Sequence, residues 1–534
     1  MPPRISAKDY DVVLKFGGGL ATRSAEDEIN EREAADGQNF LLDAELSEFQ
    51  RRPPFDLVDT AANAGSILGG GSFVDSSGNV FSFFQAGNTV YEFDGTSLLS
   101  TTLDTVSATA ELRGHWRSHS WELDDQVIIT DLNLLEVVKT WDGTTWQDVT
   151  FTDESGAGFG NFYSKYCRVS RERAWFGHVK AGATTTPHMV VGSAVEALTQ
   201  ISNANKPSSA IGTADPFYIL TPDLKPINGM VGALGALLLS TEQGELFHLT
   251  GDNSQDFSIK DFYKGSGVVG EEAIDFVGND VFYGRQGRVE SLTDTDRFGD
   301  TEADDITKGI ADQLATYTGW KIVYNGRLNR VYLFPDGASE VWVFQTALRG
   351  TDRSPWMRWK TNHALAFQPT FVQSMLDPGD GLEYVFMGDS SGNIYRLEGT
   401  GLAGDAGTTD ISAFVTSKLF SIPETAKGYD FEGYIKYRRG LASTISVTML
   451  YSGEEVFDSA LVLEVPSHIS ATFYTGSVYY NDDEYYGTEF AGRLERKRIE
   501  PRGGSNEFQI QVRVDGVNAF NINEVGLRFK GTSN

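Results

Sequence analysis

Short apolar hairpins that turn on glycine recur along this chain. Residues 73–83 read FVDSSGNVFSF, 238–249 LLSTEQGELFHL, 281–292 VFYGRQGRVESL and 384–399 YVFMGDSSGNIYRLEG. None of these stretches carries residues able to do chemistry together, so their recurrence constrains architecture. A second repeated unit is an aromatic followed by Asp-Gly-Thr, at Phe93-Asp94-Gly95-Thr96 and Trp141-Asp142-Gly143-Thr144. Asp-Gly supplies the positive φ of a tight hairpin, and alternating flanks give each hairpin one buried face. Turn glycines 95 and 143 lie 48 residues apart, 244 and 287 lie 43 apart, and 287 to 392 is 105, near twice that period. A period of about 40 to 50 residues with several strands per unit is the signature of a β-propeller. The strand-rich stretch has room for about six to eight blades at that period, and six or seven are expected.

The fold class read from the sequence is therefore mainly β, in three parts. Residues 1–55 form an N-terminal docking arm, 56–407 the propeller and 408–534 a C-terminal β-sandwich. The arm has a strand-like DVVLKF, then Gly17-Gly18-Gly19, then a helix-compatible stretch around 24–35. Arg51-Arg52-Pro53-Pro54 closes it, because the prolines bar a continuing helix. An arm with so little core of its own is expected to dock on something else. After about 408 the blade turns stop, and alternating strands such as TISVTMLY and FQIQVRV read as a sandwich. Within the propeller, a short helix is expected near Thr307 with Ile310 and Leu314 on one face.

Charge narrows the function classes. With 74 acidic and 44 basic residues the net charge is −30. Non-specific DNA affinity rests on Lys and Arg displacing counterions, so an acidic wall grips DNA poorly. One cysteine, Cys167, excludes an intrachain disulfide. The N-terminal MPPRISAKDYDVVLKFGGG lacks the apolar core of a signal peptide, and no run of 18 apolar residues occurs, so no membrane span is read. A soluble protein maturing in a reducing cytoplasm is expected.

Motifs for chemistry fail on context. Gly265-Ser-Gly267-Val-Val-Gly270 has the dinucleotide pattern, but strand-like segments follow where a helix is needed to seat the pyrophosphate. It reads as a turn. Asp294, Asp296, Gly299 and Asp305 have calcium-loop spacing, but Phe298 occupies a ligand position and the closing Glu is an Asp. His115 and His119 share a strand face with no third ligand in view. No enzyme, cofactor or metal is expected, although two carboxylates distant in sequence could still meet in space. Arg493, Arg496, Lys497, Arg498 and Arg502 form the main basic cluster, either a solvent face or a docking patch for an acidic partner.

Taken in order, these elements resemble the nozzle proteins of short-tailed bacteriophages, the tail tubular protein B family. The matching elements are Gly17 to Gly19, Asn39 and Arg51-Arg52-Pro53 in the arm. Later come Arg171, Arg173 and Trp175-Phe176, the segment LLSTEQGELFHLTG, and Asp305-Ile306-Thr307 opening a short helix. The resemblance implies a structural virion protein of the tail, assembled in the host cytoplasm. It implies a homohexameric tube beneath the portal and its adaptor ring, conducting and gating genomic DNA at ejection. Partners on this reading are the adaptor ring, tail fibres and double-stranded DNA that passes through the lumen without specific binding. Gly17, Gly18, Gly19, Asn39, Arg51, Arg52 and Pro53 are the candidate adaptor or subunit interface. A baseplate or adhesion scaffold is the alternative, with a carbohydrate-binding or carbohydrate-active propeller third.

Overall fold

The computed structural model describes residues 8–14, 18–22, 29, 32–42, 49–60, 65–115, 125–153, 158–170, 172–201, 215–233, 236–264, 270, 272–295, 300–351, 353–399, 404–421, 426–438, 443–451, 454–455, 461–465, 494–499, 507–515 and 521–533. Its repeated hairpins form antiparallel four-stranded units, and the turn chemistry is the same where the sequence is the same. In the DSSGN turn at 75–79, Asp75 Oδ1 accepts the Ser77 and Asn79 amides at 2.9 and 2.7 Å, and Asn79 Nδ2 donates to Asp75 Oδ2. Asp389 repeats all three bonds with Ser391 and Asn393. Gly78 and Gly392 sit at φ of 85° and 87°, where a side chain would be strained.

Among the described residues, seven such units follow one another. Blade 1 comprises Ile67–Val74, Val80–Ala86, Thr89–Phe93 and Leu98–Thr105, and blade 2 runs from Leu112–His115 to Trp146–Asp148. Blade 3 is built on Phe162–Ser170, Arg173–Ala181 and Thr184–Ala194, with Phe217–Leu220 on its outer side. Blades 4, 5 and 6 begin with Ile227–Ala233, Ile274–Val277 and Trp320–Asn325. Blade 7 takes Phe371–Leu376, Glu383–Gly388 and Asn393–Arg396 from its own repeat and its outer strand, Asp56–Thr60, from the start of the propeller. That pairing joins first and last blades and gives Asn393–Arg396 its outer partner at the seam. A buried cluster of Ile67, Phe84, Phe371 and Phe386 packs across the same seam. One cavity is lined by the first strand of every blade, which makes it the axial channel.

The N-terminal segment and the C-terminal region share their sheets. Lys8–Leu14 and Phe49–Arg51 both pair with Asn521–Ser533, which also pairs with Ala426–Arg438. Asp36–Gln38 pairs with Ala413–Thr416 in a second sheet containing Glu507–Asp515 and Ser443–Tyr451. The sequence reading divides the chain into an arm and a C-terminal unit; among the described residues, strands from the two ends of the chain build one pair of sheets. The physical reason is that short arm strands cannot bury their faces or satisfy their edges alone.

The helical expectation near Thr307 corresponds to a short turn of helix, Lys308–Ile310 followed by Ala311–Leu314, with Ile310 and Leu314 buried. In the stretch read as helix-compatible around 24–35, Leu20 and Ala34 form a parallel bridge, and residues 23–28, 30 and 31 lie outside the described residues. The calcium-like spacing falls on a hairpin in which Asp294 pairs with Thr301, its tip 296–299 lying outside the described residues. So do residues 265–269 of the glycine pattern, and His119.

Candidate functional site: the arm junction and the axial channel

Two of the buried polar clusters among the described residues bear on function. The first holds most of the candidate interface residues, and it lies within the chain. Gly18 and Gly19 are buried, and the Gly19 and Leu20 amides donate to Ser354 O and Trp356 O of blade 6 at 2.7 and 2.9 Å. Asn39, at φ 58°, donates its amide to Arg358 O, and its Oδ1 accepts from the Lys360 amide at 2.6 Å and Arg52 Nε at 3.0 Å. The Arg52 guanidinium is fully buried against Asp405, with Nη1 2.8 Å from Oδ1, and it lies over the rings of Phe367 and Trp359. Its remaining hydrogens go to Pro53 O and Lys360 O. Asp405 also accepts from Thr361 Oγ1 at 2.6 Å and from the Phe55 amide. Burial, with Arg52 beside it, pushes the Arg51 guanidinium down to about 10.

These side chains therefore join arm, blade 6 and the segment after blade 7 inside one molecule. Their partners here lie within the same chain, where the sequence reading looks for an adaptor or a neighbouring subunit. Gly17 lies outside the described residues. So do Arg493 and Arg502 of the basic cluster, while Arg496, Lys497 and Arg498 lie in Leu494–Ile499, paired with Ala426–Arg438.

The second place is the axial channel, of about 680 Å³. Its wall carries Arg113, Lys165, Arg168 and Lys321 against Glu272, Asp275 and Glu383. Arg113 holds both oxygens of Glu272 through Nε and Nη2, and Lys321 Nζ stands 3.9 Å from the same carboxylate. Burial alone would raise the Glu272 carboxyl, but the net shift is downward because the cations around it, Arg113 foremost, favour the charged form. Glu383 is occupied by Ser374 Oγ and by the Gly326 and Arg327 amides.

His115 has a defined tautomer. Thr130 Oγ1 gives its proton to Lys165 O at 3.0 Å, so it accepts from His115 Nε2–H at 2.9 Å. That leaves the Nδ1 lone pair to accept from Arg168 Nη1 at 2.8 Å. Burial, then Arg168 and Arg113, pushes the imidazole well below its usual range and keeps it neutral. The adjacent Cys167 thiol, pushed up to about 12 by burial, is inert as a nucleophile.

Asp275 behaves differently from Glu272. Burial pushes its carboxyl up to about 6, against two backbone amides, Tyr324 N and Phe276 N, that hold the charged form. The folded chain therefore binds this proton more tightly than the unfolded chain does. The stabilising contribution is present at pH below the ordinary carboxylate range and is lost as pH rises through about 6. The opening free energy of the Ile274–Val277 strand, read by hydrogen exchange from about pH 4 to 7, should fall less steeply with rising pH in Asp275→Asn than in the parent. Identical slopes would remove Asp275 as the titrating group.

A carboxylate pair with split proton affinities is what a glycosidase needs; in this pair Asp275 is the one that burial favours in the protonated form, and both oxygens of Glu272 are held by Arg113. Among the described residues, no group of three or more His, Cys, Asp or Glu could hold a metal ion, and no helix is long and apolar enough to cross a membrane. Apart from His115, weighed as a metal ligand, sequence reasoning missed the charged channel residues. Their signal was isolated charge inside the first strand of a blade, as in LRGH (112–115) and FYSKYCRVS (162–170).

No family model matches the chain, and no curated protein matches it. Among solved structures it is similar to the Cps50 (Swd1) β-propeller domain of Myceliophteria thermophila, at 11% identity and TM-score 0.40, covering 65% of this chain and 100% of that one. It is also similar to the WD40 domain of Toxoplasma gondii coronin, at 10% identity and TM-score 0.38, covering 68% and 87%. A third is YCF48 from Cyanidioschyzon merolae, at 10% identity and TM-score 0.36, covering 64% and 98%.

Proposed function

We propose that this chain is a structural subunit of a short-tailed phage tail nozzle. Six copies form a tube below the portal and adaptor ring, and the tube conducts and gates genomic DNA during ejection. The observation that supports this most is the buried junction of Asn39, Arg52 and Asp405. Two of those three side chains belong to the arm motifs on which the resemblance rests, and they fasten arm, propeller and terminal sheets into one stiff block. A ring that channels DNA under pressure needs subunits that do not flex between their parts. The net charge of −30 suits a conduit whose wall must not hold its cargo. The partners on this reading are other copies of the chain, the adaptor ring, tail fibres and DNA passing without specific contacts, in a virion assembled in the host cytoplasm.

Electron microscopy of native tails labelled with an antibody to this chain tests the proposal. Label on a sixfold tube beneath the adaptor is expected. Label on peripheral appendages would favour an adhesion scaffold instead, and particles without label would remove the virion role.

A further inference from the structure

We propose that the axial channel of the propeller binds a small organic oxyanion, a carboxylate or a phosphate ester, through the guanidinium of Arg168. The channel lies within a single propeller, so the inference is independent of any role in a tube.

The first observation is what Arg168 leaves unused. It is half-buried in the channel wall on the first strand of blade 3. Its Nη1 donates to His115 Nδ1 at 2.8 Å and to Cys167 O at 2.9 Å. Among the described residues, Nε and Nη2 meet no acceptor, and no carboxylate comes within ion-pair distance. Those two nitrogens form the side edge of the guanidinium, whose parallel donors match the two oxygens of a carboxylate or phosphate.

The second observation is how the neighbouring charges are spent. Glu272 is bound by Arg113, and Glu383 accepts a hydroxyl and two backbone amides. Neither is within ion-pair distance of Arg168, and Asp275, the third carboxylate of the wall, acts on it only at longer range. The guanidinium, pushed down by burial despite the pull of Asp275 and Glu272, thus sits in the wall with no direct counter-ion among the described residues. A buried cation without a partner is costly, and an anion in the channel relieves that cost. Lys165 and Lys321 line the same space, so cations outnumber carboxylates there in a chain where acids outnumber bases 74 to 44. About 680 Å³ is the scale of a small-molecule site.

His115 is a positioning residue in this scheme. Its neutral imidazole, fixed through Thr130, takes one hydrogen of Nη1 and turns the free edge of Arg168 toward the cavity.

The test is NMR of the full chain labelled with 15N at histidine, titrated at constant ionic strength and pH with sodium phosphate and, separately, with sodium acetate. A saturable shift of the His115 ring nitrogens is expected with at least one probe, and the two arms distinguish phosphate from carboxylate recognition. Arg168→Lys keeps the charge but loses the fork, and should weaken the apparent affinity roughly tenfold. Arg168→Gln should abolish the shift. Arg288→Gln, at a half-exposed arginine paired with Glu290 away from the channel, should leave it unchanged. The proposal is overturned if neither anion moves the His115 resonances of the unsubstituted chain at millimolar concentration. An unchanged apparent affinity in Arg168→Lys, or a shift that persists at full size in Arg168→Gln, overturns it equally, because the anion would then sit elsewhere.

Discussion

Replacing Asp405 by alanine is expected to open the arm–propeller junction by about 3–5 kcal/mol, the usual cost of stranding one member of a buried ion pair. Asp405 and Arg52 are both at most 1% exposed. Without the carboxylate, Arg52 keeps its bonds to Asn39, Pro53 and Lys360, but its charge remains buried between Trp359 and Phe367. The Thr361 hydroxyl and the Phe55 amide lose their acceptor as well. A chain of several structural units does not unfold in one step, so a global midpoint is the wrong readout. Proteolysis of the transiently opened junction reports the local equilibrium, and cleavage there should quicken at least about a hundredfold. The paired replacement Arg52→Met with Asp405→Leu removes both charges and should recover only part of the loss, since Thr361 and Phe55 stay unsatisfied. Wild-type cleavage rates in Asp405→Ala would mean that the pair does not hold the arm.

Gly19→Ala is expected to release the same arm by a steric route. A Cβ at Gly19 would run into the carbonyl oxygens of Trp356 and, at 2.7 Å, Ser354. Both obstacles are backbone of blade 6, so no flexible side chain can swing aside. The substitution should cost about 3 kcal/mol, the upper end for overpacking. Hydrogen exchange then locates the damage. The amides of Gly19, Leu20 and Thr22, which donate to Ser354, Trp356 and Gly309, should exchange faster by about two orders of magnitude at that cost. The first strands of blades 1 to 3 should keep their protection. Uniform loss across all blades would show that the contact is integral to the ring and not a seam between parts.

What could be read from the sequence follows the range of the physics. A hairpin is a local object: Asp75 and Asn79 settle their turn among five residues, and Asp389 and Asn393 repeat it. Periodic hairpins therefore disclosed the propeller. Its closure was not legible, because pairing Asp56–Thr60 with Asn393–Arg396 joins strands more than 330 residues apart. The same holds for the arm. Arg51-Arg52-Pro53 stood out by composition, but the sequence offers no sign that Arg52 meets Asp405 instead of a second protein. The channel was harder still. Arg113 and Glu272 look like ordinary surface charges until the ring brings their strands together. Asp305-Ile306-Thr307 is an intermediate case: Asp305 Oδ1 accepts the Thr307 amide and hydroxyl locally, while Ile306 O takes the Trp356 indole from across the fold.

That arm, propeller and terminal sheets are one block within one chain is the claim from which the remainder follows. Hydrogen exchange on the purified chain, repeated over a wide dilution series, measures it most directly. The Gly19, Leu20 and Asn39 amides, which donate to blade 6, and the Ala35 amide, which donates to Thr416 O, should be protected equally at every concentration, including those where the chain is monomeric. Protection that vanishes on dilution would mean that the arm reaches its partners on a neighbouring copy, and the intramolecular junction would be wrong.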